Sequence, residues 1–234
     1  MRRGTGDPYT RPACSAMALV TIDMQHDFLR GPFAIPGTAA LLPTVRRVVR
    51  AFRRANMPVI HLMRLYNADG TNVDLCRRRV VEQGARLVRP RSRGCRLAPG
   101  LLPTSSVRLD DDRLLAEGIQ RISQEEVVIY KPRWGAFFNT PLERYLRARA
   151  VSSLAFAGCN FPNCPRASIY EASERDFRIV LIEDAVSGLY ARARAELRRI
   201  GVWLMSAQEL EQAIVASTQA RRFKIEQPQA SVSS

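Results

Sequence analysis

Residues 151–176 read VSSLAFAGCNFPNCPRASIYEASERD. Their first part, 151–158, is typical of a buried strand that closes at Gly158. A short loop follows, and a helix is predicted from Cys164 onward, with Pro165 in its first turn, where the missing N–H costs little. A strand, a tight loop and a helix in this order form the repeating unit of a parallel α/β sheet.

The same alternation continues in both directions along the chain. Buried strands are predicted at 18–23, 58–65, 126–131, 151–158 and 177–183, with a weaker one at 202–205. Helical patterns lie between them, at 38–56, 140–149, 164–175, 190–200 and 206–215. We therefore expect an α/β protein, a three-layer αβα sandwich around a central, mostly parallel six-stranded sheet. In such sheets the functional site lies beyond the carboxyl ends of the strands.

The predicted domain covers residues 17–217. Residues 1–16 are expected to be a disordered N-terminal extension, and residues 218–234 a flexible C-terminal tail, since both lack a packing pattern. An insert at 66–112 interrupts the alternation and is predicted to contain one helix near 72–87. Inserts at this edge are often lids or contacts with a partner subunit, and a surface decoration is the alternative.

The charge of the chain does not identify a partner. The formal net charge is +14, from 36 basic and 22 acidic residues. The arginines are spread along the chain, only Lys131 and Lys224 are lysines, and no nucleic-acid-binding motif is present, which indicates a bias toward arginine rather than specific nucleic-acid binding. No apolar run reaches the roughly 18 residues of a membrane span, and no secretory signal is apparent. We expect a cytoplasmic protein without membrane contact.

Cys164 is the first candidate for chemistry. The chain has five cysteines at irregular spacing, which argues against a disulfide framework and leaves room for a reactive thiol. A thiol at a helix N-terminus faces the positive end of the helix dipole, so a lowered pKa is predicted for Cys164. The alternative is a small buried hydrophobe, which suits Cys159 at the end of its strand.

Asp23 and Lys131 close two other predicted strands, in ALVTID and EVVIYK. Taken singly, the aspartate fits a turn-capping carboxylate and the lysine fits a side chain that extends from a strand end to solvent. Together with Cys164 they form a possible set of nucleophile, base and cation at one edge of the sheet.

Three segments carry a resemblance to a known family. DMQHDFL begins at Asp23, KPRWGAFFNTPLERYL begins at Lys131, and GCNFPNC ends at Cys164. In this order and spacing they resemble the signatures of the isochorismatase-like cysteine hydrolases, which include nicotinamidases and N-carbamoylsarcosine amidohydrolase. The resemblance spans roughly residues 17–215.

The resemblance implies a role for each of these residues. Asp23 would be the general base, Lys131 the cation that helps to form the thiolate, and Cys164 the nucleophile. The backbone N–H groups of Asn160 and Cys164 would form the oxyanion hole, beside a cis peptide bond between Cys159 and Asn160. The expected reaction is hydrolysis of a carbon–nitrogen bond in a small amide or carbamoyl compound through a thioester, without a cofactor, in a homodimer or homotetramer.

The sequence also departs from the family pattern. Phe161 and Pro165 replace the threonine and valine that many members have, which leaves the shape of the pocket open. With only His26 and His61 present, the cluster of metal-dependent nicotinamidases cannot be assembled, so no metal is expected. The segment RLYNADGTNVDLCRRR resembles the insert of a subgroup whose substrates we cannot assign.

Several further residues are candidates for the pocket. Four aromatic side chains could form its walls, with core packing as the alternative: Phe28, Trp134, Phe137 and Phe161. Arg64 could meet a substrate carboxylate, although a surface salt bridge is the simpler expectation. His61 could turn toward the site, but a hydrogen-bonded core histidine is favoured, and His26 is expected to face solvent.

Three other functions stay open at this point. Some relatives do not use the cysteine as nucleophile, so a vinyl-ether hydrolase of the isochorismatase type is a rival. The chain could also be a non-catalytic binding protein on the same scaffold, or a basic protein that associates with nucleic acid.

Overall fold

The fold is seen in a computed structural model that describes residues 7–226. Within this range seven strands form one sheet: β1 (Met17–Ile22), β2 (Val59–Met63), β3 (Ile119–Arg121), β4 (Glu126–Tyr130), β5 (Ser153–Gly158), β6 (Arg178–Val186) and β7 (Trp203–Met205). The helices are α1 (His26–Leu29), α2 (Thr38–Arg54), α3 (Leu75–Glu82), α4 (Asp111–Glu117), α5 (Leu142–Arg147), α6 (Cys164–Ser173), α7 (Ala191–Arg199) and α8 (Ala207–Glu226).

The strands follow the order β3-β4-β2-β1-β5-β6-β7. All neighbouring pairs are parallel except β3 and β4, which are antiparallel. The α/β class and the mostly parallel sheet are therefore confirmed, with seven strands where six were predicted. The missed strand, β3, has three residues, none of them buried, at the edge of the sheet, so it carries no apolar run that a sequence pattern could detect.

Helices cover both faces of the sheet. Along β1, Ala18, Val20 and Ile22 belong to one apolar cluster, whereas Met17 and Leu19 belong to another, because successive side chains of a strand point to opposite faces. The first cluster includes residues of α5, α6 and α7, and the second includes residues of α2 and α8. This arrangement is the predicted three-layer sandwich.

Secondary structure extends beyond both predicted domain boundaries. Residues 7–16 are ordered against the sheet: Cys14–Ala16 form a short 3-10 helix, and the backbone N–H of Ala13 donates to Ser153 Oγ at 2.9 Å. Helix α8 continues past residue 217 to Glu226, because 218–226 contain no proline or glycine to stop it. The rest of the predicted extension and tail, 1–6 and 227–234, lies outside the described residues. None of the helices in 7–226 is both long and apolar enough to cross a bilayer.

The insert at 66–112 packs onto the loop that follows β1. The backbone N–H of His26 donates to the carbonyl of Arg96 at 3.0 Å, and that of Ala98 donates to the carbonyl of Met24 at 2.8 Å. Helix α3 falls within the predicted 72–87, whereas α4, which begins inside the insert at Asp111, was not predicted. The insert therefore packs at the functional edge of the sheet, and its role as a lid, a subunit contact or a surface decoration stays a prediction.

Candidate active site

Three charged residues follow directly after the ends of three adjacent strands. Asp23 follows β1, Arg64 follows β2, and Lys131 follows β4. The backbone N–H of Asp23 donates to the carbonyl of Leu62, and that of Lys131 donates to the carbonyl of Met63, each at 3.0 Å. These bonds extend the parallel register by one residue, so the three side chains start from the same edge of the sheet.

Asp23 and Lys131 form a buried ion pair. Lys131 Nζ lies 3.0 Å from Asp23 Oδ2, and the two residues are 0% and 3% exposed, respectively. Lys131 Nζ also donates to the carbonyl of Arg133 at 3.2 Å. Buried charges persist when they are paired in this way, since an isolated one would be strongly destabilising. Asp23 has a φ of 52°, in the left-handed region that aspartate adopts more readily than most residues with a side chain.

Cys164 lies near this ion pair, at the end of the loop that connects β5 to α6. Gly158 ends β5 with a φ of 120°, and a Cβ at this position would lie 2.1 Å from the carbonyl oxygen of Ile22. Only glycine therefore lets the chain pass so close to β1 before it turns into α6. Cys164 is the first residue of α6, is 5% exposed, and has its Sγ 3.6 Å from Arg64 Nη2.

The predicted lowering of the pKa of Cys164 is not found. Burial raises the pKa of the thiol, and the charge of Asp23 raises it further, while Lys131 and Arg64 act in the opposite direction. The loss of water around the sulfur is the largest of these effects and outweighs the two cations. The raised pKa favours the thiol form of Cys164, next to a carboxylate that can accept its proton.

Cys159 has the structural role that the sequence favoured. It is 1% exposed, its thiol donates to the backbone carbonyl of Asp23 at 3.2 Å, and burial raises its pKa well above the ordinary value. A thiol with that pKa, already hydrogen-bonded to a carbonyl, is a poor nucleophile. Of the two cysteines in the loop segment, Cys164 is the reactive candidate.

The peptide bond between Cys159 and Asn160 is trans, as are all peptide bonds in the described part of the chain. The expectation of a cis bond here is not met. A trans bond is favoured by about 3 kcal/mol for residues other than proline. The loop holds its shape through the N–H of Phe161, which donates to the carbonyl of Ser187 at 2.7 Å, and that of Cys159, which donates to Ile22 at 3.0 Å.

Arg64 is buried and belongs to the site, so the expected surface salt bridge is wrong. The residue is 1% exposed. Its Nη1 is paired with Asp74 Oδ2 and lies 3.2 Å from Tyr66 Oη, and Tyr66 Oη donates to Asp74 Oδ2 at 2.6 Å. Burial opposes the charge of Arg64, but the surrounding groups raise its pKa overall, so the guanidinium stays protonated.

Asp74, Tyr66 and Gln25 are site residues that the sequence did not reveal. Asp74 and Tyr66 come from the insert, where no periodic pattern marks them. Gln25 is fully buried: its Nε2 donates to the carbonyls of Arg64 at 2.8 Å and Cys95 at 2.7 Å, and its Oε1 accepts from the Arg64 N–H at 2.8 Å. The sequence did indicate that Arg64 lies at the site, because Arg64 follows a strand end in the same way as Asp23 and Lys131.

The four predicted wall aromatics do not form one wall. Phe137 packs against Phe177 in the core, with ring centroids 5.7 Å apart. Phe161 is 1% exposed, in the same apolar cluster as Cys164. Phe28 is buried in a different cluster, which also contains Cys159, and Trp134 is 37% exposed. Phe137 and Phe161 both belong to the apolar cluster that contains Cys164, and for both of them core packing is the role that the structure shows.

Neither histidine enters the site. His61 lies within β2, fully buried, with Nδ1 2.7 Å from Thr21 Oγ1 and Nε2 3.6 Å from Glu126 Oε1, which confirms the core interpretation. His26 begins α1 and is partly exposed, and burial together with two nearby arginines lowers its pKa. A Cys–His dyad is therefore not formed, and the groups near Cys164 are Asp23, Lys131 and Arg64.

Comparison with known proteins gives consistent matches. The family model described as "Isochorismatase domain" matches residues 17–209. A probable inactive nicotinamidase of Arabidopsis thaliana is 29% identical over 192 residues, covering 79% of this chain and 89% of that protein. A ureidoacrylate amidohydrolase of Methylorubrum extorquens is 26% identical, covering 89% of this chain and 86% of that protein.

Solved structures show the same fold. The crystal structure of an isochorismatase family protein from Desulfovibrio vulgaris matches with a TM-score of 0.72 and 25% identity, and the match covers 86% of this chain and 98% of that one. The resemblance drawn from the three sequence motifs is confirmed by these matches.

Proposed function

Because the chain belongs to the isochorismatase family, we propose that it is an amidohydrolase that cleaves a carbon–nitrogen bond in a small amide, carbamoyl or ureido compound, with Cys164 as nucleophile. The observation that carries this proposal is the buried pair of Asp23 and Lys131, 3.0 Å apart. Both charges act on the pKa of the Cys164 thiol. The ureidoacrylate amidohydrolase of Methylorubrum extorquens supports the substrate class.

The first step moves a proton inside the cluster. Asp23 Oδ2 is paired with Lys131, whereas the buried Oδ1 has no hydrogen-bond partner among residues 7–226 and is available as an acceptor. When the Cys164 proton passes to Asp23, the negative charge moves from carboxylate to sulfur. The total charge of the buried site is unchanged, so the step creates no new unpaired charge in a dry environment.

The thiolate then attacks the substrate carbonyl carbon. A C–S bond forms, the carbonyl π electrons move to oxygen, and the C–N bond breaks as this intermediate collapses. The leaving nitrogen takes the proton from Asp23 and departs as ammonia or an amine. Water next attacks the thioester, gives a proton to Asp23, and expels the sulfur, which recovers the proton as a thiol.

Backbone N–H groups would stabilise the oxyanion. Cys164 is the first residue of α6, where N–H groups have no acceptor within the helix. With Asn160 in the preceding loop, it supplies donors of the kind that stabilise tetrahedral intermediates, each worth roughly 3–4 kcal/mol in known cases. Arg64 as the anchor of a substrate carboxylate stays a prediction.

A substrate screen tests the proposal. Purified protein is incubated with primary amides, N-carbamoyl amino acids and ureido acids, and released ammonia is measured, with the Cys164→Ala variant as control. We expect release from at least one class in the native protein alone. Turnover of a vinyl ether that survives in Cys164→Ala would support the isochorismatase-type rival. Absence of turnover together with an inert Cys164 would support a non-catalytic protein, as the name of the Arabidopsis relative suggests for that protein.

Lys131→Arg is expected to lower kcat by about 100-fold. Arginine keeps the charge, but its planar guanidinium cannot replace a compact ammonium in a fully buried position beside Asp23. The measurement is kcat on the substrate found in the screen. Arg133→Lys makes the reverse exchange two residues away on the exposed surface and should leave kcat within twofold. Near-native turnover in Lys131→Arg would remove the lysine from the mechanism.

A further inference from the structure

Arg64 has a contact that the proposed reaction leaves unused, between its Nη2 and the sulfur of Cys164 at 3.6 Å. We propose that Arg64 is a second cation of the reactive set, held against Cys164 by Asp74 and Tyr66 of the insert, and that it stabilises the thiolate. This inference rests on the proposed role of Cys164 as nucleophile. It makes the insert a working part of the active site.

The hydrogen bonds fix the guanidinium in one orientation. Nη1 is engaged by Asp74 Oδ2 and lies 3.2 Å from Tyr66 Oη and 3.4 Å from the carbonyl of Pro132. Tyr66 in turn donates to Asp74 at 2.6 Å, which holds the carboxylate in place. Because a guanidinium is a rigid plane, fixing Nη1 also fixes where Nη2 points. Nη2 is thereby held 3.6 Å from the sulfur.

The two cations near the sulfur have different partners. The groups that face Cys164 from the surrounding elements are Asp23, Lys131, Arg64 and the thiol of Cys159. Lys131 is in direct contact with the base itself, so the charge of its partner changes when Asp23 takes the proton. Arg64 Nε lies 4.0 Å from Asp23, and its close partner is Asp74. Arg64 therefore keeps its arrangement throughout the proton transfer.

The test measures thiolate formation without any substrate. The rate at which iodoacetamide alkylates Cys164 is followed from pH 6 to 10 by peptide mass spectrometry, with the exposed Cys76 of the same sample as internal reference. A unit charge at contact distance shifts a pKa by about one unit or more, so removing it lowers the thiolate fraction at pH 7 about tenfold. Arg64→Gln should slow alkylation of Cys164 by that factor and move its profile to higher pH.

Two further variants guard against a fold defect and separate charge from position. Arg64→Gln combined with Asp74→Asn removes both members of the buried pair, which leaves no unpaired charge, and should still slow alkylation of Cys164 relative to the native protein. Asp74→Asn alone keeps the arginine but frees it. We expect slower alkylation of Cys164 in Asp74→Asn, because Arg64 is no longer held against the sulfur. If Arg64 acted only through its charge, loss of the negative charge of Asp74 would make alkylation faster. Arg96→Gln, which opens another arginine–aspartate pair of the insert, is the matched control and should leave the profile unchanged.

The outcomes separate this inference from the proposed function. An unchanged pH profile in the double variant overturns the thiolate role, and faster alkylation in Asp74→Asn overturns the positioning role. A raised KM for carboxylate substrates with an unchanged profile would assign Arg64 to substrate binding instead. A shifted profile in a protein that turns over none of the screened compounds would support the role of Arg64 while contradicting the proposed function.

Discussion

Replacement of Cys164 by alanine is expected to reduce kcat by on the order of 10⁴-fold or more, down to the background rate. The nucleophile, its base and its cations act as one unit, so removal of the sulfur leaves the other groups without a covalent step to assist. Cys164 is buried beside Asp23, the proposed proton acceptor. The measurement is ammonia release at saturating substrate.

Cys159→Ala is the matched control for this prediction. It removes a second buried thiol from the same loop segment, whose hydrogen bond to the Asp23 carbonyl is 3.2 Å long. We expect a small loss of stability and turnover within tenfold of the native protein. If Cys164→Ala kept full activity while Cys159→Ala abolished it, the assignment of the nucleophile would be reversed.

Gly158→Ala is expected to destabilise the fold by about 3 kcal/mol or more. The new Cβ would lie 2.1 Å from the carbonyl oxygen of Ile22 and 2.7 Å from its nitrogen, and both atoms belong to the central strand β1. Neither can move without breaking the pairing of β1 with β5, and the φ of 120° adds strain for any residue with a side chain. Urea unfolding should show a lower midpoint.

Gly31→Ala provides the comparison, since this glycine also has a positive φ, 89°, but a Cβ there would meet no atom within 4 Å. The loss in free energy of unfolding should come from the left-handed backbone conformation alone and amount to about 1–2 kcal/mol. Equal midpoints for the two variants would show that the contact between Gly158 and β1 does not limit stability.

The residues that follow the strand ends could be predicted from the sequence, because the strands themselves are visible in it. Buried strands of a parallel sheet are continuous apolar runs, so the ends of β1, β4 and β5 were recognisable, and with them Asp23, Lys131 and the loop before Cys164. The same reasoning located His61 in the core, since it lies inside a strand rather than after one.

The remaining parts of the site depend on tertiary contacts that no local pattern encodes. Asp74 and Tyr66 reach Arg64 because the insert folds back over the sheet edge, and a segment without periodicity does not reveal its own path. The state of the Cys164 thiol was mispredicted for a related reason. The helix N-terminus is visible in the sequence, whereas the burial that raises the pKa of the thiol is a property of the packed protein.

Because β1 lies in the middle of the sheet, the parts of the site should unfold locally at different rates. Asp23 follows a strand that is paired on both sides along its length, whereas Asp74 sits in a segment joined to the rest mainly through loops. Local opening should therefore release the insert long before the sheet. We expect the backbone amide of Ile22 to exchange with deuterium far more slowly than the amides of residues 75–82. Partial opening would then separate Arg64 from Asp74 while Asp23 and Lys131 stay paired.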